Sequence, residues 1–318
     1  MNKKENIRKL LNKNGSSKEP FFFMVSYDLN KYEIFKLKDL PSYINFEISQ
    51  SVSSNSSNTS LLKKNPIDFQ TYKKEFDILQ NNIKEGNSYL LNLTFQTKIQ
   101  TPLSLEEIYK KANARFKLKY KNSFVCFSPE KFVEIKNNNI YTYPMKGTID
   151  STILNAKKKI LSNEKEMAEH TMVVDLLRND LSIVSSKVRV EKFRYCEEIN
   201  AGEKRLIQVS SKIKGELNNN WKNHIGDIIT ELLPAGSITG TPKKKSVEIL
   251  NEVENYKRDY YTGIAGIFDG ENLYSFVLIR FIENINGELF YKSGGGITCD
   301  SDAKLEYQEI IDKIYIPS

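Results

Sequence analysis

Tryptophan occurs once, histidine twice and cysteine three times in 318 residues, and each scarcity closes a route. His170 and His224, with no third partner and no serine-bearing elbow, leave too little for a Ser-His-Asp triad or a zinc centre. Cys126, Cys196 and Cys299 lie far apart, form no CxxC and are odd in number, which suits a reducing cytoplasm. Long apolar runs are also missing. Phe21 to Val25 falls far short of the roughly 20 residues a membrane helix needs, so no membrane span is expected. Lys3, Lys4, Arg8 and Lys9 are followed by a polar stretch to Glu19, so no secretion signal is expected either.

Charge is present but dispersed. Lys and Arg total 47 against 40 Asp and Glu, a net +7 that favours anionic partners without naming one. No zinc-finger spacing or aromatic ribonucleoprotein motif accompanies it, so nucleic acid is not an expected partner. With 17 Tyr and 17 Phe the chain has ample material for a core.

Periodicity predicts the elements. Phe69, Tyr72, Phe76, Leu79 and Ile83 recur at helical spacing between Asp68 and Gly86, and Ser104 with Glu107 makes a capping box. Tyr89 to Ile99, Phe124 to Phe127, Lys131 to Lys136 and Ile140 to Tyr143 read as strands, followed by a helix from Asn163 to Leu181. Strands are also expected over Val188 to Phe193, Leu206 to Gly215, Ile264 to Phe268, Leu273 to Glu283 and Glu288 to Lys292. Helices are expected over Trp221 to Leu232, from Thr241 as N-cap with Pro242 as first helical residue, and from Ser301 or Asp302. Runs of strands broken by single helices, without βαβ alternation, indicate α+β with antiparallel sheets. Gln50 to Ser60 is almost all Ser and Asn and reads as a linker. Residues 1–66 are therefore expected as a short N-terminal segment and 67–318 as the catalytic domain.

Three constellations could carry chemistry. Gly294-Gly-Gly296 and the Pro234 to Gly240 segment are small-residue loops that could approach a carboxylate or phosphate closely; a plain turn is the alternative for the three glycines. Glu166 with Glu169, and Glu306 with Glu309, place acids three apart on a helix face, so one acid from each pair could serve Mg²⁺; a solvated acidic face is the alternative. Lys146 follows a strand and precedes Gly147, a place from which an amine could act as nucleophile or base. Glu130 lies 16 residues earlier, across strand, turn and strand, so a regular hairpin would bring it beside Lys146 as an acid; an ordinary ion pair is the alternative.

Taken in order, the motifs resemble the chorismate-utilising enzymes, the large components of anthranilate, aminodeoxychorismate and isochorismate synthases. They are Ser128-Pro-Glu130, Pro144-Met-Lys-Gly-Thr148, Glu169-His170, Val174 to Leu181 and Gly236-Ser-Ile-Thr-Gly-Thr-Pro-Lys243. Tyr261, Arg280, Gly294-Gly-Gly-Ile297 and Glu306-Tyr-Gln-Glu309 complete the set, covering about residues 70 to 313. The resemblance implies an anthranilate synthase component I-like fold, with antiparallel sheets as a two-layer sandwich and helices outside. It implies Glu169 and Glu309 as Mg²⁺ ligands, Ser237, Tyr261, Arg280, Gly294, Gly295 and Gly296 as substrate-binding residues, and Lys146 with Glu130 as the catalytic pair. Lys146 stands where anthranilate synthases usually have Ala and aminodeoxychorismate synthases have Lys. The implied reaction is thus chorismate plus ammonia to 4-amino-4-deoxychorismate, for p-aminobenzoate and folate synthesis, in the cytoplasm. Anthranilate synthase is the alternative. A binding protein reusing the fold would have lost the acids or Lys146, and both are present. A glutamine amidotransferase subunit is the implied ammonia source, because two histidines and three context-free cysteines give no glutaminase pair. Two positions depart from the family pattern: Gln208 stands where most members have His, and Leu90 where Gln is common.

Overall fold

The computed structural model describes residues 2–49, 62–201 and 204–317, so the expected linker at Gln50 to Ser60 lies outside the described residues. The helices are α1 (Lys3–Ser16), α2 (Phe69–Lys84), α3 (Leu105–Lys111), α4 (Ala156–Leu161), α5 (Glu164–Val184), α6 (Ile225–Leu232), α7 (Lys243–Val253) and α8 (Ala303–Asp312). The first nine strands are β1 (Phe21–Val25), β2 (Tyr32–Lys36), β3 (Ile44–Ile48), β4 (Lys63–Asn65), β5 (Leu90–Gln100), β6 (Phe116–Tyr120), β7 (Phe124–Ser128), β8 (Lys131–Lys136) and β9 (Asn139–Thr142). They are followed by β10 (Met145–Asp150), β11 (Ser186–Ala201), β12 (Lys204–Glu216), β13 (Gly240–Thr241), β14 (Ile264–Phe268), β15 (Leu273–Val277), β16 (Phe281–Ile285) and β17 (Glu288–Ile297).

The contacts divide the chain into two units, each built from three separated stretches. The first comprises 1–41, 130–237 and 262–277. Among the described residues its sheet has nine strands: β10, β9 and β11 all pair with β12, and β9 leads on through β8, β15, β14 and β1 to β2. All the pairings are antiparallel. β1 is buried along its whole length, as its unbroken Phe-Phe-Phe-Met-Val run requires of a strand covered on both faces. Helix α1, not foreseen in the polar N-terminal stretch, starts at an Asn2 cap and buries Ile7 and Leu11.

The second unit comprises 42–129, 238–261 and 278–318. Its sheet runs β13, β5, β17, β16, β7, β6, β3, with β4 also on β5. Tyr72, Phe76, Leu79 and Ile83 of α2 pack with Leu91, Leu93 and Phe95 of β5, with Ile249 and Leu250 of α7, and with Ile310 of α8. The periodicity that predicts α2 is the stripe that faces this core, Asp68 caps its first turn through the Thr71 amide, and Gly86 follows its end.

Four expectations are corrected. Leu273 to Glu283 is two strands: β15 closes the first unit and β16 opens in the other sheet, with the backbone turning at Arg280 (φ 53°). Gly294 to Gly296 form no loop; β17 continues through them, Gly294 opposite Thr94, Gly295 opposite Leu93 and Gly296 opposite Asn92. Pro242 is itself the N-cap residue of α7, and Thr241 belongs to β13. The β8–β9 hairpin is regular, Glu134 opposite Tyr141, but its ladder ends before Pro144 and the strand carrying Lys146 pairs with β12, Met145 opposite Ser210.

Candidate active site

In the first unit β10 and α5 bring four of the motif residues together. Lys146 Nζ lies 2.7 Å from Glu169 Oε2, and Lys165 Nζ lies 3.8 Å from Oε1 of the same carboxylate. Glu169 is 8% exposed, so the pair sits where water screens it little. One turn earlier on α5, Glu166 Oε2 occupies the space 2.9 Å from where a Cβ on Gly147 would be. Gly147 also has φ +94°, and the two facts together explain why Lys146 is followed by glycine.

His170 fixes the backbone beneath the lysine. Its Nδ1 lies 3.2 Å from the Lys146 carbonyl, which can only accept, so Nδ1 carries the proton. Nε2 lies 2.7 Å from Ser211 Oγ, and that oxygen also accepts from the Arg194 amide. Burial, aided by the nearby Arg194 charge, pushes the imidazole below its ordinary pKa despite the hydrogen bond to the Lys146 carbonyl. The neutral ring is therefore the form this geometry keeps.

Glu130 is held separately: Ser237 Oγ donates to its Oε1 at 2.5 Å. Both line a cavity of about 20 Å³, together with Thr142, Tyr143 and the buried Asp180 of α5. A space of that size holds roughly one water. Asp180, within the Val174 to Leu181 motif, thus reaches the surroundings of Glu130. Gln208 sits on β12 opposite Thr148 of β10.

In the second unit the glycine strand faces helix α8. A Cβ on Gly295 would lie 3.6 Å from Glu306 Oε2 and 4.0 Å from Glu309 Oε1, so the bare backbone there looks at two carboxylates. Glu306 accepts from Ser301 Oγ at 2.8 Å. Lys313 lies 2.6 Å from Glu309 and donates to the Gly294 carbonyl at 2.8 Å. Lys313 and Lys165 were missed in the sequence. The signal was there: each stands four residues from its glutamate on one helix face.

Tyr261 is buried, and its amide donates to the Arg258 carbonyl at 3.0 Å. Arg258 is tied to Glu254 and to the Asn92 and Ile238 carbonyls, which makes that loop a fixed platform. Arg280 lays its guanidinium 5.4 Å over the Tyr315 ring, and its buried Nε has no hydrogen-bond partner among the described residues. A buried guanidinium nitrogen with a spare N–H suits a carboxylate. Leu90 is buried on β5, opposite Thr241.

Among the described residues no cluster of three or more His, Cys, Asp or Glu could hold a metal. Mg²⁺ asks for less, one or two carboxylates with water and substrate oxygens completing the shell. Glu169 and Glu309, the two acids the resemblance implies for it, each face an ammonium in their own unit.

Residues 24–317 match the family described as chorismate binding enzyme. The chain belongs to that family. It is therefore an enzyme acting on chorismate. Its relatives include an "Uncharacterized PabA-like protein" of Haemophilus influenzae, 47% identical over 95% of this chain and 94% of that one. Aminodeoxychorismate synthase component 1 of Escherichia coli K12 is 30% identical over 77% of this chain, which spans only 56% of that enzyme. The crystal structure of anthranilate synthase component I from Streptococcus pneumoniae superposes with a TM-score of 0.67 at 26% identity, covering 81% of this chain and 59% of that one. The α+β class with antiparallel sheets, expected from the sequence, is the fold of this family. No helix among the described residues is long and apolar enough to cross a membrane.

Proposed function

We propose that the chain is an aminodeoxychorismate synthase component I, converting chorismate and ammonia to 4-amino-4-deoxychorismate. The observation that carries the reading is Lys146 set against Glu169 on a backbone clamped by His170, at the position where the family's aminating branches differ. The similarity to aminodeoxychorismate synthase component 1 supports it. In this mechanism Lys146 Nζ, as a neutral amine, attacks ring C2. The ring double bonds shift and the C4 hydroxyl leaves as water, protonated by Glu130. Ammonia then bonds to C4, the double bonds shift back and the C2–N bond to Lys146 breaks. Hydroxide leaves poorly without an acid, and a covalent amine intermediate divides a difficult displacement into two easier ones.

Substrate carboxylates would be gripped by Arg280, Tyr261, Ser237 and the amides of the Gly294–Gly296 strand. Glu169 and Glu309 would hold Mg²⁺, which when bound neutralises substrate carboxylate charge. Ammonia would come from a glutamine amidotransferase subunit, and the three unbridged cysteines suit a cytoplasmic setting. Anthranilate synthase is the second reading, favoured by the structural likeness at 26% identity. Incubating the purified chain with chorismate, ammonium and Mg²⁺ and identifying the product by mass separates the two. Aminodeoxychorismate is expected; anthranilate as the sole product would overturn the assignment.

A further inference from the structure

One carboxylate is asked to serve two cations. Glu169, proposed above as a carboxylate for Mg²⁺, here holds the Lys146 ammonium at 2.7 Å with Lys165 3.8 Å away. The Glu169 side chain is 11% exposed, and an anion so enclosed needs a cation beside it at all times. Without metal the chain supplies its own. Two cations on one carboxylate repel each other, and a divalent ion repels an ammonium more than a second ammonium does, so Mg²⁺ and the Lys146 ammonium weaken each other's hold on Glu169.

We propose that Lys146 is the resident counter-ion of Glu169 and exchanges with Mg²⁺, so that metal occupancy frees the lysine side chain for the substrate. The inference rests on the functional reading above, since that reading supplies the metal. The backbone is built for such an exchange. β10 is pinned on β12 at Met145 and Thr148, and the Lys146 carbonyl is held by His170, so the side chain alone need move.

Isothermal titration of MgCl₂ into the full chain at one pH tests this, each variant first shown to be folded by its thermal melt. Lys146→Met removes the competitor and is expected to tighten Mg²⁺ about fivefold or more. Lys146→Arg keeps the charge and should keep wild-type affinity, and Lys165→Met should change it less than Lys146→Met. Should Lys146→Met not fold, Lys146→Gln serves in its place. Unchanged or weaker Mg²⁺ binding in the neutral variant overturns the exchange, as does the absence of Mg²⁺ binding from every sample. Titrating chorismate into the same samples keeps the two failures apart. Wild type that binds chorismate while Lys146→Met leaves Mg²⁺ affinity unchanged loses only the exchange; wild type that binds no chorismate loses the functional reading.

Discussion

Lys146 is constrained at both ends, its ammonium by Glu169 and its carbonyl by His170. Lys146→Ala removes the amine while leaving Glu130, Glu169 and the glycine strand in place. Chorismate should still bind by calorimetry, while aminodeoxychorismate formation falls by orders of magnitude. Full activity in that variant, or no substrate adduct by mass on the peptide containing Lys146, would remove the covalent mechanism. Ser237 allows a finer test. The resemblance made it a substrate-binding residue, yet here its hydroxyl is spent on Glu130. Ser237→Ala frees that carboxyl from a hydrogen bond worth about 1.5–3 kcal/mol. If positioning is its role, kcat should fall about tenfold or more with KM little changed; a rise in KM with kcat intact would return Ser237 to the substrate.

Elements whose signals are local were legible. The α2 stripe and the Ser104–Glu107 capping box need only neighbours in sequence, and both are found in place. The glycine strand was not legible, because three glycines carry no side-chain alternation and their pairing with β5 is set about 200 residues away. Helix α1 was hidden by its polarity, its buried side being only Ile7, Leu11 and Gly15. The glycine strand yields a contrast. A Cβ on Gly294 would lie 2.6 Å from the Leu93 carbonyl, a backbone atom that cannot give way, whereas Gly295 has 3.6 Å of room. Gly294→Ala should therefore lower the melting temperature markedly. Gly295→Ala should melt close to wild type yet bind chorismate more weakly, since its methyl would stand over Glu306 and Glu309. Equal melting of the two variants would show that the strand tolerates a side chain at both positions.

At the scale of the whole molecule, family membership was legible in the ordered motifs and the division into units was not. Each sheet draws on three separated stretches, and no local pattern tells Leu273–Val277 from Phe281–Ile285 as members of different sheets. Nor does composition reveal which charges are buried, and these set how stability follows pH. Glu75 on α2 is 8% exposed and takes a hydrogen bond from Asn255 at 2.6 Å. Burial, reinforced by the nearby Glu254 and only partly offset by Asn255, raises its pKa from 4.5 to about 7. Because the folded value lies above the unfolded one, its contribution is fully present below about pH 4.5 and lost as pH rises through about 7. His170 runs the other way: its folded pKa is depressed, so stability falls as pH drops below the ordinary value of 6.5. The two oppose each other in the wild-type profile, and a single substitution separates them. Glu75→Gln keeps the shape and removes the charge. Its melting temperature relative to wild type should rise from pH 5 to about pH 7 and level off by pH 8.5, by the equivalent of up to about 3 kcal/mol. A difference that stays flat across that range would mean Glu75 ionises as freely in the folded chain as in the unfolded one.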